Sequence, residues 1–259
     1  MHTSSPGSPS PASRGVVVVT GASSGLVAEM ARQFAALGWD LALCARRTDR
    51  LDALAGEIRG ATGRRVETAA LDVTDPDAVP AVLGRFDEAF GGLDRVVVNA
   101  GLGKGAPLGT GRADANRETA MTNVVGALAQ CEAALEVFRR QRRGHLVLVS
   151  SMSALRGMRR SMTVYAATKA GVASLAEGLR SERIPGVDVS VVYPGYIRSE
   201  MNEHVQQRTR FMVDTETGVR AMVAANEARK PTAYVPAWPW VPIGAAMRVL
   251  PLSVVRRLS

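Results

Sequence analysis

Tyr165 and Lys169 stand four residues apart, in Tyr165-Ala166-Ala167-Thr168-Lys169, within a stretch of helical periodicity. That spacing puts a phenol and an ammonium on one helix face, a turn apart. A phenol can donate a proton, but its ordinary pKa of about 10 is too high for an efficient base near neutrality. A cation close by favours the phenolate, so the pair suits proton transfer at a substrate oxygen. A second group of residues suits phosphate. Thr20-Gly21-Ala22-Ser23-Ser24-Gly25-Leu26 follows an apolar run and opens a helical pattern. A glycine-rich turn from strand to helix lets backbone N–H groups and the positive helix end approach a pyrophosphate. The next apolar run ends in Ala45-Arg46-Arg47. Dinucleotide sites place an acid here to hold ribose hydroxyls, whereas an arginine accommodates a 2′-phosphate. Ala45 occupies the acid's place, so Arg46 and Arg47 predict NADP(H) as the cofactor.

Such residues need a scaffold that gathers them. Apolar, largely β-branched runs recur at 16–19, 41–45, 66–71, 96–98, 146–149 and 189–193. Each is apolar almost throughout, as expected of strands buried on both faces of a parallel sheet. Between them, 29–37, 50–59, 77–90, 115–139 and 164–182 carry apolar residues at i, i+3, i+4 spacing. The alternation predicts right-handed βαβ units, hence an α/β fold with a single doubly wound parallel sheet of Rossmann type and helices on both faces. A seventh strand is predicted near 233–235. Ligands of such sheets bind beyond the carboxyl ends of the strands. The residues found there are Asp72 and Val73 after the third run, and Asn99, Ala100 and Gly101 after the fourth. Ser150 and Ser151 follow the fifth, and Pro194 and Gly195 the sixth.

Taken in order, this set resembles the short-chain dehydrogenase/reductase family over about residues 15–201. Thr20, Gly21 and Gly25 match its cofactor loop, Asn99-Ala100-Gly101 its Asn-Ala-Gly motif, and Pro194-Gly195 its Pro-Gly turn. Asn123, Ser151, Tyr165 and Lys169 match its catalytic residues. The resemblance implies hydride transfer between a nicotinamide and a carbonyl or secondary alcohol; the apolar residues of 196–212 and of the tail suit a lipophilic substrate. Tyr165 would exchange the proton and Ser151 would polarise the substrate oxygen. Lys169 would also hold the nicotinamide ribose, and Asn123 would anchor a relay water. Ser23, Ser24, Gly25 and Leu26 would line the phosphates. Asp72 and Val73 would meet the adenine, although Asp72 could instead cap a helix starting at Thr74-Asp75-Pro76. Ile197 and Ser199 complete the expected cofactor contacts. Two departures stand out. The Ser151–Tyr165 interval is one residue longer than usual, which a loop over 152–163 would absorb; Ser153 is the alternative serine. Val27 replaces the loop's last glycine. It either pushes the first helix outward and weakens cofactor binding, the expected outcome, or fills apolar space at no cost; a weakened or non-catalytic NADP-binding module is the corresponding alternative.

Composition narrows the rest. A chain of 259 residues with 46% hydrophobic and 22% charged content can bury its own core. Cys44 and Cys131 lie far apart, so neither a disulfide scaffold nor a metal site is expected, and the protein is expected in the cytoplasm. The excess of Lys and Arg (32) over Asp and Glu (24) is nearly all arginine, in short runs without the interleaved aromatics that stack bases, so no nucleic-acid partner is expected. Residues 1–14, rich in Ser and Pro, read as a disordered tail; 15–236 as the dinucleotide-binding and catalytic domain; 237–259 as an apolar and basic tail. Residues 196–212, with Met201, Phe211 and Met212, read as a substrate lid. The prolines of the tail argue against one continuous helix. Its Trp, Met and Arg residues suit a substrate cover, the interface of a homodimer or homotetramer, or peripheral contact with a membrane surface.

Overall fold

The computed structural model describes residues 13–23, 25–198 and 211–258. Ser24, Ser199, Met201 and most of the amino-terminal tail lie outside the described residues. The first half of the chain runs β1 (Val16–Thr20), α1 (Gly25–Ala36), β2 (Asp40–Ala45), α2 (Thr48–Thr62), β3 (Val66–Ala70), α3 (Ala78–Phe90) and β4 (Arg95–Val98). One long helix follows in three parts: α4 (Ala113–Ala120), a π-helical turn (Met121–Val125) and α5 (Gly126–Gln141). Then come β5 (Gly144–Val149), a 3-10 turn (Met152–Leu155), α6 (Met162–Ser181), β6 (Val187–Pro194), α7 (Thr215–Glu227), β7 (Thr232–Val235), α8 (Ala237–Val249) and α9 (Leu252–Leu258).

The strands form a parallel sheet in the order β3-β2-β1-β4-β5-β6-β7. The chain reverses direction across the sheet between β1 and β4, which opens a crevice at their carboxyl ends. Alternate side chains of each strand enter opposite layers. Val17, Val19, Leu41 and Leu43 pack under α1, α2 and α7 with Met30, Phe34, Leu51 and Met222. Val18, Ala42, Val96 and Leu146 pack on the other face with Leu83, Phe86, Phe138 and Val172 of α3, α5 and α6. Burial on both sides is why β1 reads as unbroken valine.

Two elements depart from the sequence expectation. α7, for which sequence periodicity gave no helix, begins just past the 196–212 segment where the Asp214 carboxylate accepts the Thr217 N–H at 2.8 Å as an N-cap. The tail forms more helix than its prolines suggested. α8 is non-helical at Trp238, so Pro239 and Pro242 fall in the first regular turn, where a missing N–H costs little. Pro251 then separates α8 from α9.

At the amino ends of β4–β6, opposite the crevice, lies a buried polar network. Arg95 is 2% exposed; its Nε donates to His145 Nδ1 at 3.0 Å and its NH1 pairs with Glu227. The guanidinium lies over the Phe34 and Trp39 rings, and Trp39 Nε1 donates to Glu227 at 3.1 Å. Since His145 Nδ1 accepts, its proton sits on Nε2, which bonds Ser190 Oγ at 2.8 Å.

Candidate active site

The turn after β1 is built to bring backbone close to backbone. Gly21 has φ +72°, and a side-chain carbon there would approach Ala100 Cα to 3.1 Å, so glycine satisfies both the left-handed backbone and the contact. Thr20 organises the crevice floor. Its Oγ1 donates to Val97 O and accepts the N–H groups of Asn99 at 3.0 Å and Ala100 at 3.1 Å. The Asn-Ala-Gly segment is thus tied to β1, a role for Thr20 that spacing alone did not assign. α1 starts at Gly25, with open space over it. Its first N–H groups form an anion-ready helix end.

Val27 is 3% exposed and belongs to the apolar layer with Val19, Ala22 and Met30. It fills space between helix and sheet, which favours the second of the two outcomes over the expected outward clash. Val27→Gly should therefore lower stability by about 2–4 kcal/mol through lost burial and a helix glycine, without tightening NADPH binding. Denaturant titration and calorimetry check this; tighter NADPH binding in the variant would restore the clash.

At the end of β2, Arg47 turns back on the loop, donating to Ser23 Oγ at 3.2 Å and Ser23 O at 2.9 Å. Arg46 is exposed and its charge acts on Asp72. Asp72 Oδ1 accepts from Thr74 N (3.0 Å) and Thr74 Oγ1 (2.8 Å). The Thr74 N–H, aided by Arg46, holds its carboxyl below the usual carboxylate range. Asp72 does not cap α3. Asp75 does that work, accepting the N–H groups of Asp77 and Ala78. Val73 is buried, with its side chain and carbonyl against Gly126, so its side chain is a packing group.

The four expected catalytic residues converge. The Ser151 side chain acts on the Tyr165 hydroxyl and favours its ionised form, and Lys169 Nζ lies 6.0 Å from the Tyr165 ring centroid. The longer interval runs through the 3-10 turn and then through irregular residues 156–161 before α6. That turn places Ser153 behind Ser151, donating from N at 3.2 Å and from Oγ at 3.0 Å. Ser151 is therefore the serine that meets Tyr165, and Ser153 orients it. Ser150 instead anchors α6, its Oγ donating to Lys169 O at 2.8 Å. Lys169 is buried and donates to Val149 O at 2.8 Å; burial pulls its pKa down to about 8. Burial likewise pushes the Tyr165 phenol up, against the pull of Ser151, so it outweighs the acidifying influence expected of the lysine.

Asn123 lies in the π-helical turn, a local widening frequent at functional sites. Its Oδ1 accepts Leu102 N at 2.7 Å, while Nδ2 donates to Leu102 O at 2.9 Å and Thr168 Oγ1 at 3.1 Å. Both amide hydrogens are thus used on protein, locking the segment after β4 to α6. A side-chain carbon at Gly101 would sit 3.2 Å from Asn123 Oδ1 and 3.4 Å from Lys169 Nζ, which brings the floor against Asn123 and Lys169.

The far wall comes from the tail. Gly195 N donates to Val235 O, and a side-chain carbon at Gly195 would lie 2.1 Å from the Trp240 indole. Glycine after Pro194 is what admits that ring. Trp240 is buried, edge-on to Tyr196 and Phe211, and one turn later Gly244 packs on Met152 and Leu155. Arg156 NH2 fastens the end of α8 by donating to Leu250 O at 2.7 Å. The tail's tryptophans suit a substrate cover by sequence, but their pattern does not say that Trp240 meets Gly195, Tyr196 and Phe211. Ile197 bridges to Val213 and buries its side chain under Gly218 of α7.

A sequence model of short chain dehydrogenases matches residues 15–210. The chain belongs to the short-chain dehydrogenase family. An uncharacterized oxidoreductase of Mycobacterium tuberculosis is 49% identical over 245 residues, covering 94% of this chain and 96% of that protein. The solved short-chain dehydrogenase of Sphingobium yanoikuyae, in complex with NADPH, is 28% identical with a TM-score of 0.79, covering 90% of this chain and 93% of that one. A short-chain dehydrogenase/reductase of Burkholderia phymatum in complex with NAD shares the fold at 23% identity and a TM-score of 0.79, covering 92% of each chain. This short-chain dehydrogenase is accordingly an oxidoreductase with the family's nucleotide-binding fold.

Proposed function

We propose that this short-chain dehydrogenase is an NADP(H)-dependent enzyme interconverting the carbonyl and secondary alcohol of a lipophilic substrate. The observation that carries the reading is the placing of the Ser151 and Tyr165 side chains together beside buried Lys169, at the carboxyl end of the sheet. The crevice suits a dinucleotide: open space over Gly25, the start of α1 and the close Gly21–Ala100 approach accept phosphates. A bound nicotinamide supplies or accepts the hydride. The chain's own part is played at the oxygen. Ser153 donates to Ser151 Oγ, leaving the Ser151 hydrogen for Tyr165 or the substrate oxygen, where it stabilises developing negative charge. Tyr165, held protonated by its burial, is loaded to deliver a proton in the reductive direction. Lys169, within reach of the ribose side, offsets negative charge left on the phenol. The Trp240, Tyr196 and Phe211 wall gives apolar substrate surface a partner.

NADP preference rests on Arg46, with Arg47 as helper, and is consistent with the NADPH bound to the Sphingobium protein. A charge-assisted bond to the 2′-phosphate is worth about 1.5–3 kcal/mol. Arg46→Ala should therefore weaken NADPH binding by roughly 10- to 150-fold while leaving NADH nearly unchanged. Fluorescence titration with both cofactors measures this, and equal affinities in the unaltered chain would refute the preference. A ketone and alcohol panel followed by NADPH absorbance tests the activity itself; a panel spanning apolar and charged substrates with no turnover of any apolar member would refute the substrate class.

A further inference from the structure

We propose that the outward face of α8 and α9 docks on an anionic lipid surface. α8 is apolar on both sides. Trp240, Ile243 and Met247 pack towards the core, while Val241, Ala245 and Val249, at helical spacing, face outward and the stripe continues at Leu252. A helix that is apolar all round is normally covered on both sides. Here Val249 is 81% exposed, Leu252 59% and Val241 47%, and Trp238 at the start of the helix is 78% exposed. Trp238 and Val249 are the most exposed large apolar side chains among the described residues.

Charge selects the occupant. From β7 onward the chain carries Arg248, Arg256 and Arg257 and no acidic residue. The neighbouring segment, tied to α8 by the Arg156–Leu250 hydrogen bond, adds Arg156, Arg159 and Arg160, and no acid occurs between Glu136 and Glu177. An apolar stripe with an exposed tryptophan, flanked by two basic segments that carry no acid, complements an anionic bilayer surface, where indoles settle at headgroup level and arginines meet lipid phosphates. A second copy fits less well. A two-fold contact pairs a patch with itself, setting arginines against arginines with no acid to answer them. No described helix is long and apolar enough to cross a membrane, so the contact is one of lying on the surface. The stripe backs directly onto the Trp240 wall, which would hold the crevice beside the lipid phase.

The test is co-sedimentation of the full chain with phosphatidylglycerol–phosphatidylcholine vesicles and with phosphatidylcholine alone. The chain should sediment with the anionic vesicles only and be released by added salt. The double variant Trp238→Ser, Val249→Glu should bind the anionic vesicles about tenfold or more weakly, with unaltered NADPH affinity and thermal midpoint as checks of the fold. Absence of binding to anionic vesicles, or equal binding by the double variant, overturns the proposal. So does a lipid-free oligomer of the unaltered chain that the same two substitutions dissociate, since that outcome assigns the stripe to a second copy.

Discussion

Tyr165→Phe is expected to cut turnover by about 10²–10⁴-fold, the usual contribution of a positioned general acid, while NADPH affinity and stability change little. The substitution removes one oxygen and keeps the ring. The oxygen's neighbour is Ser151, a half-buried hydroxyl that keeps the Ser153 hydrogen bonds it accepts and can turn its own hydrogen towards the crevice. Because proton delivery belongs to the transition state, the loss should fall on kcat and kcat/KM alike rather than on KM. The pH profile gives an independent reading. Burial raises the Tyr165 pKa, so reductive turnover should stay level through neutral pH in the unaltered enzyme. Stopped-flow NADPH oxidation on a verified substrate checks both points. A Phe variant with unchanged kcat would remove Tyr165 from the mechanism.

Acid should destabilise the protein through His145, far from the crevice. This imidazole is fully buried, and burial, assisted by the charges of Arg95 and Arg229, lowers its pKa to about 3 against the opposing pull of Asp188. Nδ1 already accepts from Arg95, so protonation would set a second hydrogen against a cation. The unfolded chain takes up this proton near pH 6.5 and the folded chain only near 3, so the unfolded state binds more protons throughout that window. Stability contributed by the neutral ring is complete above about pH 6.5 and drains as pH falls, by nearly 1.4 kcal/mol per pH unit, towards an upper bound of about 4–5 kcal/mol. His145→Gln keeps an acceptor for Arg95 but does not titrate. The slope of unfolding free energy between pH 4 and 6 should flatten by close to one proton in that variant, read by urea titration at each pH. An identical slope in the two proteins would show that carboxylates alone drive acid unfolding.

The sequence by itself determined the sheet, its helices and the line of residues along its carboxyl edge. Buried parallel strands must be apolar throughout, which makes runs such as Val16–Thr20 legible, and the right-handed crossover then leaves few ways to order them. Tyr165 and Lys169 were legible because one helical turn fixes their separation. Features requiring contact between segments distant in the chain were decided only by the tertiary structure. Arg95 was excluded from its strand because an isolated charge does not belong in a core; it is admitted by Glu227, His145 and two aromatic rings contributed by other elements. Ser151 was separated from Ser153 by a 3-10 turn that spacing could not foresee. Val27 looked like an obstruction in a one-dimensional motif, yet it lies in the apolar layer beneath α1. Asn123 widened a helix to reach the backbone of Leu102, and Trp240 entered the crevice wall only because Gly195 leaves room for it. Periodicity records which side of an element is buried; it carries no record of which partner will meet a polar or aromatic group there, and that partner sets both the energy and the role.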